Sequence, residues 1–166
     1  MRRCTPVLLA LSLALAAPPA LSAGRSTGAA PQALSALQKQ AVVLIAAGRV
    51  ERHLGQLPKG SPQQAVAALR HVAHDYQGLA RVSREAGWND MAGYYTETAA
   101  VFSRMVKGST DRAAVDRQTA ALESRRQRMT QAAIARLRKA GISARDPRLN
   151  GVADRLVAQI ERGAPR

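Results

Sequence analysis

The sequence predicts an all-α protein, an antiparallel bundle of four or five helices that follows a cleaved N-terminal signal peptide. Apolar side chains return every three or four residues over long stretches, which is the spacing of one face of a helix. Glycine, proline and capping residues divide these stretches, and the short connections between them favour antiparallel neighbours. No window alternates apolar and polar residues with the β-branched richness of a strand. These observations predict a fold built from helices alone.

The first 23 residues have the three-part layout of a secretory signal peptide. Arg2 and Arg3 precede an unbroken apolar run from Val7 to Ala17, and small residues follow that suit a cleavage site. The run has 11 residues, whereas a helix needs about 20 to cross a bilayer. We therefore expect segment 1–23 to direct export and to be removed.

Removal of this leader sets the expected domain boundaries. Cleavage after Ala23, or one residue earlier, leaves a flexible linker at 24–30 and one helical-bundle domain at 31–166. The only cysteine, Cys4, is lost with the leader, so we expect a cysteine-free mature chain without disulfides or thiolate metal sites. The chain has 21 Arg and 4 Lys and is rich in Ala, which is typical of a GC-rich bacterial genome. The expected location is the periplasm or the surrounding medium.

Two helices are predicted in the first half of the domain. The first begins at Pro31 and ends near Gly55. The second begins at Ser61-Pro62-Gln63-Gln64, because the serine can cap free amides, proline suits the first turn and Gln64 completes a capping box. It stops at Gly87, in the usual glycine position after a helix. The predicted stripe of the first helix is Leu34, Leu37, Ala41, Leu44, Ile45 and Gly48, and that of the second is Val66, Leu69, Ala73, Tyr76 and Ala80.

Three further helices complete the predicted bundle. The third begins at 88–90 and is closed by Gly108, and Thr110-Asp111 opens the fourth and longest, which runs to Gly141. Asp146-Pro147 caps and begins the fifth. Their predicted buried residues are Met91, Tyr95, Thr98, Phe102 and Met105; Val115, Leu122, Met129, Ala133 and Leu137; and Leu149, Val152, Ala153, Leu156 and Ile160.

The positive charge of the chain is concentrated in its C-terminal part. The formal net charge is +14, and residues 104–166 contain 15 Lys and Arg against 6 Asp and Glu. Arginine binds phosphate and carboxylate groups bidentately. Arg126 lies within the apolar stripe, so we expect it to mark an opening of the bundle or to meet a buried acid. The residues predicted to contact an anionic partner are Arg125, Arg126, Arg128, Arg136, Arg138 and Lys139.

These features predict a non-catalytic binding or accessory protein with an anionic partner. In the expected compartment that partner is a lipid head group, an envelope polymer or an acidic protein, and contact with a membrane would be peripheral. We do not expect nucleic acid, because the protein is exported and its aromatic residues are not interleaved with arginines as a single-strand platform requires.

The aromatic residues are concentrated in one hairpin. All five fall within 27 residues on the second and third helices. Rings at helical spacing usually pack in a core, and the alternative is a pocket that they line. The residues of this candidate pocket are Tyr76, Trp88, Tyr94, Tyr95 and Phe102.

The histidines offer a candidate metal site on the second helix. His71, His74 and Asp75 lie within about one turn of each other, and two imidazoles at this spacing can share a metal. At about 100° per residue, however, they fall on the solvent side of the predicted stripe. We therefore expect His71, His74 and Asp75 to be exposed to solvent, and we expect the protein to bind neither a metal nor a cofactor.

Two alternative functions remain open. No catalytic motif is present, neither a nucleophile elbow, a zinc-protease helix nor a phosphate-binding loop. A small helical enzyme acting on an anion would need a closed polar pocket near the aromatic hairpin. Ser61-Pro62-Gln63-Gln64 resembles the end of the L-T-x-x-Q helix start of the Spy and CpxP group of periplasmic helical chaperones. That resemblance, over one helix start, implies a stress chaperone or a metal-responsive protein.

Overall fold

The computed structural model describes residues 33–58, 60–108 and 111–164, which form an all-helical bundle without strands. The expected signal peptide, the linker 24–30 and Cys4 lie outside these residues. The encoded chain has one cysteine, so "cysteine-free" applies only to the part of the chain after residue 4. The five helices are α1 (Ala36–Gly55), α2 (Pro62–Glu85), α3 (Asn89–Val106), α4 (Arg112–Lys139) and α5 (Pro147–Glu161).

The helix starts follow from side-chain caps. The predicted capping box of α2 is confirmed: the Ser61 hydroxyl accepts from the Gln64 amide at 3.2 Å, and the Gln64 side chain accepts from the Ser61 amide at 3.0 Å. An equivalent box joins Ser35 and Gln38 at the start of α1. The predicted start at Pro31 lies outside the described residues, within which α1 begins at Ala36, directly after the Ser35 cap.

Aspartates cap the two C-terminal helices, and glycines follow three of the five. Asp111 accepts from the Ala113 amide at 3.0 Å and Asp146 from the Arg148 amide at 2.8 Å. Gly87, Gly108 and Gly141 have φ angles of 70°, 68° and 67°. These are left-handed conformations that glycine adopts without steric cost, and they end the helices where the sequence predicts.

Side-chain contacts show that α3 runs antiparallel to both α2 and α4. Arg84 near the end of α2 contacts Thr96 in the first half of α3, whereas Tyr76, about two turns earlier in α2, stacks on Phe102 in the second half of α3. In the same way Glu97 of α3 meets Arg125, and the later Arg104 meets the earlier Gln118 of α4.

The core has two connected parts. The larger one contains residues from each of the helices α1, α2, α3 and α4, and it includes Leu79, Met91, four of the five aromatic residues and the end of α5 at Ile160. The smaller one packs α5 on α1 and on the end of α4, around Ala46, Leu137 and Leu149. The predicted stripes supply fewer than half of the buried positions, because neighbouring residues such as Val43, Val50 and Leu79 are buried as well. The half-buried members of the stripes are Leu34, Leu37, Leu44, Ile45, Gly48, Val66, Leu69, Tyr76, Phe102, Met105, Val115, Met129, Val152 and Leu156.

Candidate functional site

α4 meets the rest of the bundle along a narrow apolar strip. Only Leu122, Ala133 and Leu137 are buried along its 28 residues, and Val115 and Met129 are half-buried against the core. These side chains point to one side of the helix at about 100° per residue. Most other residues of α4 are exposed to solvent.

Four cations occupy the side of α4 opposite to this strip. Three of them, Arg117, Arg128 and Lys139, are spaced 11 residues apart, which is about three helical turns. Consecutive members of this row therefore differ by about 20° in direction around the helix axis and lie about 16 Å apart along it. All four are exposed, and none is ion-paired to a described residue. No acidic residue of α4 lies within their arc of about 100°. We call this set the basic face: Arg117, Arg128, Arg138 and Lys139.

The six predicted contact residues therefore divide into two groups. Arg128, Arg138 and Lys139 belong to the basic face, and Arg136 is exposed on the flank of the apolar strip. Arg125 forms an ion pair with Glu97 at 2.8 Å, and Arg126 is paired with acids inside the bundle. Arg117, which was not among the six, completes the basic face; its 11-residue spacing from Arg128 is the sequence signal that identifies it.

Arg126 bridges two helices through two carboxylates. Its Nη1 donates to both carboxylate oxygens of Glu51 on α1, at 3.2 and 3.0 Å. Its Nε and Nη2 donate to Glu123, at 2.9 and 2.8 Å. The Arg126 and Glu51 side chains are only 23% and 24% exposed. The expected acid partner of Arg126 is thus present, and this guanidinium is engaged within the fold.

The two carboxylates of this bridge are perturbed in opposite directions. Burial raises the pKa of Glu51, and the positive charge of Arg126 only partly offsets this. The hydrogen bonds from Arg126 lower the pKa of the more exposed Glu123, against the effect of its partial burial. Hydrogen bonding with Glu123 in turn raises the pKa of Arg126. The bridge therefore carries one net negative charge when both acids are ionised.

Four of the five predicted aromatic residues come together, but as packed rings. The centroid distances are 6.0 Å between Phe102 and Tyr76, 5.8 Å between Tyr76 and Tyr95, and 5.0 Å between Tyr95 and Tyr94. Trp88, Tyr94 and Tyr95 are buried. Contacts at these distances stabilise a core directly. The rings fill the space between α2 and α3.

Burial of these phenols has an electrostatic consequence. It raises the pKa of Tyr94 to about 12, and the pKa values of Tyr76 and Tyr95 rise well above the usual range for the same reason. None of these rings lines either of two surface grooves of the bundle. One lies at the start of α2, beside Val66 and Arg70. The other lies between α1, α2 and α5, beside Val43 and Leu156.

The prediction that Asp75 and its neighbouring histidines are solvated is wrong. Asp75 is 0% exposed, and His71 and His74 are half-buried. The end of α5 covers this side of α2: His74 Nε2 lies 3.1 Å from the Ile160 carbonyl oxygen. The covering helix is 86 residues away in sequence, so no local pattern indicates it.

His53 of α1 also lies near this cluster. Its ring centroid is 6.3 Å from that of His71. In the part of the chain that the structure describes, no group of three or more His, Cys, Asp and Glu side chains is arranged to hold a metal ion. The local sequence of α2 identifies the cluster of His71, His74 and Asp75, but no sequence pattern predicts that His53 lies beside it.

Comparisons of the chain with protein-family models, with curated proteins and with solved structures found no match. Among the described helices, none is long and apolar enough to span a membrane. The chemistry of the basic face follows from its own side chains. The basic face is open to solvent and presents Arg forks and one ammonium group, which can neutralise several anionic groups of an extended partner at once.

Proposed function

We propose that the protein is a non-catalytic binding protein that contacts an anionic partner through the basic face of α4. The observation that carries the proposal is the segregation of charge on this helix. Four cations lie on its outward side, while its apolar residues and the Arg126 bridge occupy the inward side. An extended row of cations suits a surface or polymer with repeated negative charges better than a small molecule, which needs an enclosed site.

The proposed partner is an anionic component of the cell envelope, either lipid head groups or a polymer. This location depends on the proposed export by segment 1–23. Lipid head groups and envelope polymers share phosphate and carboxylate chemistry, which both arginine and lysine bind. Arg136 would add a contact at the edge of the same surface.

The observations give less support to catalysis. Arg126, Glu51 and Glu123 do converge beside the aromatic hairpin, as an enzyme acting on an anion would require. The rings there pack on one another, however, and neither surface groove is lined by these residues. A guanidinium already paired with two carboxylates is also poorly disposed to bind a further anion.

Binding to charged and neutral surfaces tests the proposal. We would measure binding of the purified protein to phosphatidylglycerol vesicles, to phosphatidylcholine vesicles and to a soluble polyphosphate over a range of salt concentrations. The expected result is binding to anionic probes only, with an affinity that falls steeply as salt rises. Preference for vesicles over polyphosphate would identify lipid as the source of the anions, and the reverse preference would identify a polymer.

A charge-matched comparison assigns the binding to α4. One variant changes Arg117, Arg128, Arg138 and Lys139 to Gln. The control changes four exposed cations elsewhere and reduces the net charge equally: Arg52, Arg70, Arg81 and Arg155. The first variant should bind at least about tenfold more weakly than the control. Equal losses in the two variants would show that only total charge matters and would refute the proposal.

A further inference from the structure

The outward side of α4 presents its cations among small side chains. Ser124 and Gln131 are the neutral polar residues within the arc of the basic face. Every apolar residue of α4 that is larger than alanine lies about 100° or more from Arg128 around the helix axis. The apolar residues within the arc or at its edge are alanines, all of them exposed: Ala113, Ala114, Ala120, Ala121, Ala132 and Ala135.

The basic face is long compared with a single anionic group. Arg117 and Lys139 lie about 33 Å apart along the helix axis, with Arg128 midway between them. Arg138 adds a further cation beside Lys139. The alanines leave the helix surface low between these positions, so an extended chain can approach closely along the row. A small anion reaches one position of the row, whereas an extended chain reaches all of them.

The composition of this face does not suit a lipid bilayer. Helices that lie on a membrane insert bulky apolar side chains into it from the side that faces the lipid. On α4 the bulky residues Leu122 and Leu137 are buried in the bundle instead. Contact with lipid head groups would therefore depend on charge alone, without a contribution from apolar burial.

The charge of this face also disfavours a second copy of the protein. Two copies joined through their basic faces would bring eight cations into one interface, four from each copy. No acid of α4 lies within the arc to compensate them, and like charges across an interface oppose association. Charge complementarity requires a partner that is itself negatively charged over a distance of about 33 Å.

We propose that this partner is a linear polyanion, which lies lengthwise along α4 and contacts Arg117, Arg128 and Lys139 together. The inference rests on the proposed function and deepens it, because it assigns the basic face to a flexible polymer with repeated phosphate or carboxylate groups rather than to lipid head groups. Each cation that neutralises a group of the polymer releases counterions from it, and this release favours binding at low salt. Once one cation is engaged, the next contact is intramolecular, so binding should strengthen with polymer length.

Polyphosphates of different length test this geometry. We would measure binding of the purified protein to tripolyphosphate and to fractions of longer polyphosphate by isothermal titration calorimetry at several salt concentrations. Per phosphate group, a polymer that spans the row should bind at least about tenfold more tightly than tripolyphosphate. The logarithm of the binding constant should fall with the logarithm of the salt concentration, with a slope of about −2 to −3 for three or four contacts on a flexible chain.

Two single substitutions on α4 assign this binding to the row. R128Q removes the middle cation, so it should weaken binding of the long polymer and reduce the salt slope by about 0.7. R112Q is the matched control, because Arg112 is exposed on the same helix but points about 140° or more away from each member of the row. It should bind the long polymer as the wild type does. Equal effects of R128Q and R112Q would overturn the inference.

The same measurements separate failure of this inference from failure of the proposed function. Polyphosphate binding that does not depend on chain length, together with tight binding to phosphatidylglycerol vesicles that R128Q weakens, would overturn the linear partner. The basic face would then remain an anion-binding surface, as the proposed function requires. Absence of binding to every anionic probe at low salt would refute both.

Discussion

Arg126 of α4 joins Glu51 of α1, 75 residues earlier, through hydrogen bonds of 3.0 and 3.2 Å to its two carboxylate oxygens. The same guanidinium holds Glu123 one turn back on its own helix. α4 has few buried apolar residues, so a polar bridge to α1 contributes more to its position than such a bridge would on a well-buried helix.

Loss of this bridge should destabilise the bundle. R126Q leaves Glu51 three-quarters buried without its cation, and we expect the free energy of unfolding to fall by about 2 kcal/mol in urea denaturation. R125Q is the matched control because the Arg125 pair with Glu97 is more exposed, and its effect should stay below about 1 kcal/mol. Equal effects of R126Q and R125Q would contradict a structural role for the bridge.

The two acids of the bridge should give opposite pH dependences. The pKa of Glu123 is lowered, so its contribution to stability is present above the ordinary pKa of Glu and is lost as the pH falls. The pKa of Glu51 is raised, so its contribution is present below that value and is lost as the pH rises. Unfolding free energies of wild type, E51Q and E123Q between pH 3 and 7 should show this. As the pH rises, the difference in free energy of unfolding between the wild type and E123Q should grow, whereas the difference between the wild type and E51Q should shrink. If both differences change in the same direction, the opposite pKa shifts assigned to Glu123 and Glu51 are refuted.

α5 packs closely on α2 at Gly78. A Cβ at this position would lie 2.8 Å from Ile160 Cγ2, inside van der Waals contact. Because Ile160 is buried, G78A should reduce the free energy of unfolding by about 1–3 kcal/mol, despite the higher helix propensity of Ala. In contrast, G151A meets no atom within 4 Å in α5 and should increase stability by about 0.5–1 kcal/mol. Stabilisation by both substitutions would show that α5 does not pack on α2 at this point.

The capping boxes should contribute measurably to stability. S61A removes the acceptor of the Gln64 amide at the start of α2, and we expect a loss of about 1 kcal/mol in thermal or urea unfolding. Replacing Ser61 by Asp retains a capping oxygen and should restore most of this loss. If S61D is as unstable as S61A, the cap does not account for the effect.

The helices and most of their ends can be predicted from the sequence alone. Capping by Ser61 and the glycine stop at Gly87 involve residues a few positions apart, so the local sequence contains the relevant information. The cap of α1 is local as well, because Ser35 and Gln38, three residues apart, form its capping box. The 11-residue spacing of the basic face is also a local property.

The tertiary structure decided which side chains are buried where two distant helices meet. On a helical wheel Asp75 lies on the polar side of α2, yet it is fully buried in the bundle. The helical wheel likewise places Arg126 among the apolar residues of α4. Its ion pair with Glu51, however, depends on the position of α1 relative to α4. Periodicity and capping are set by neighbours in sequence, whereas burial of a polar group depends on long-range contacts that no single helix specifies.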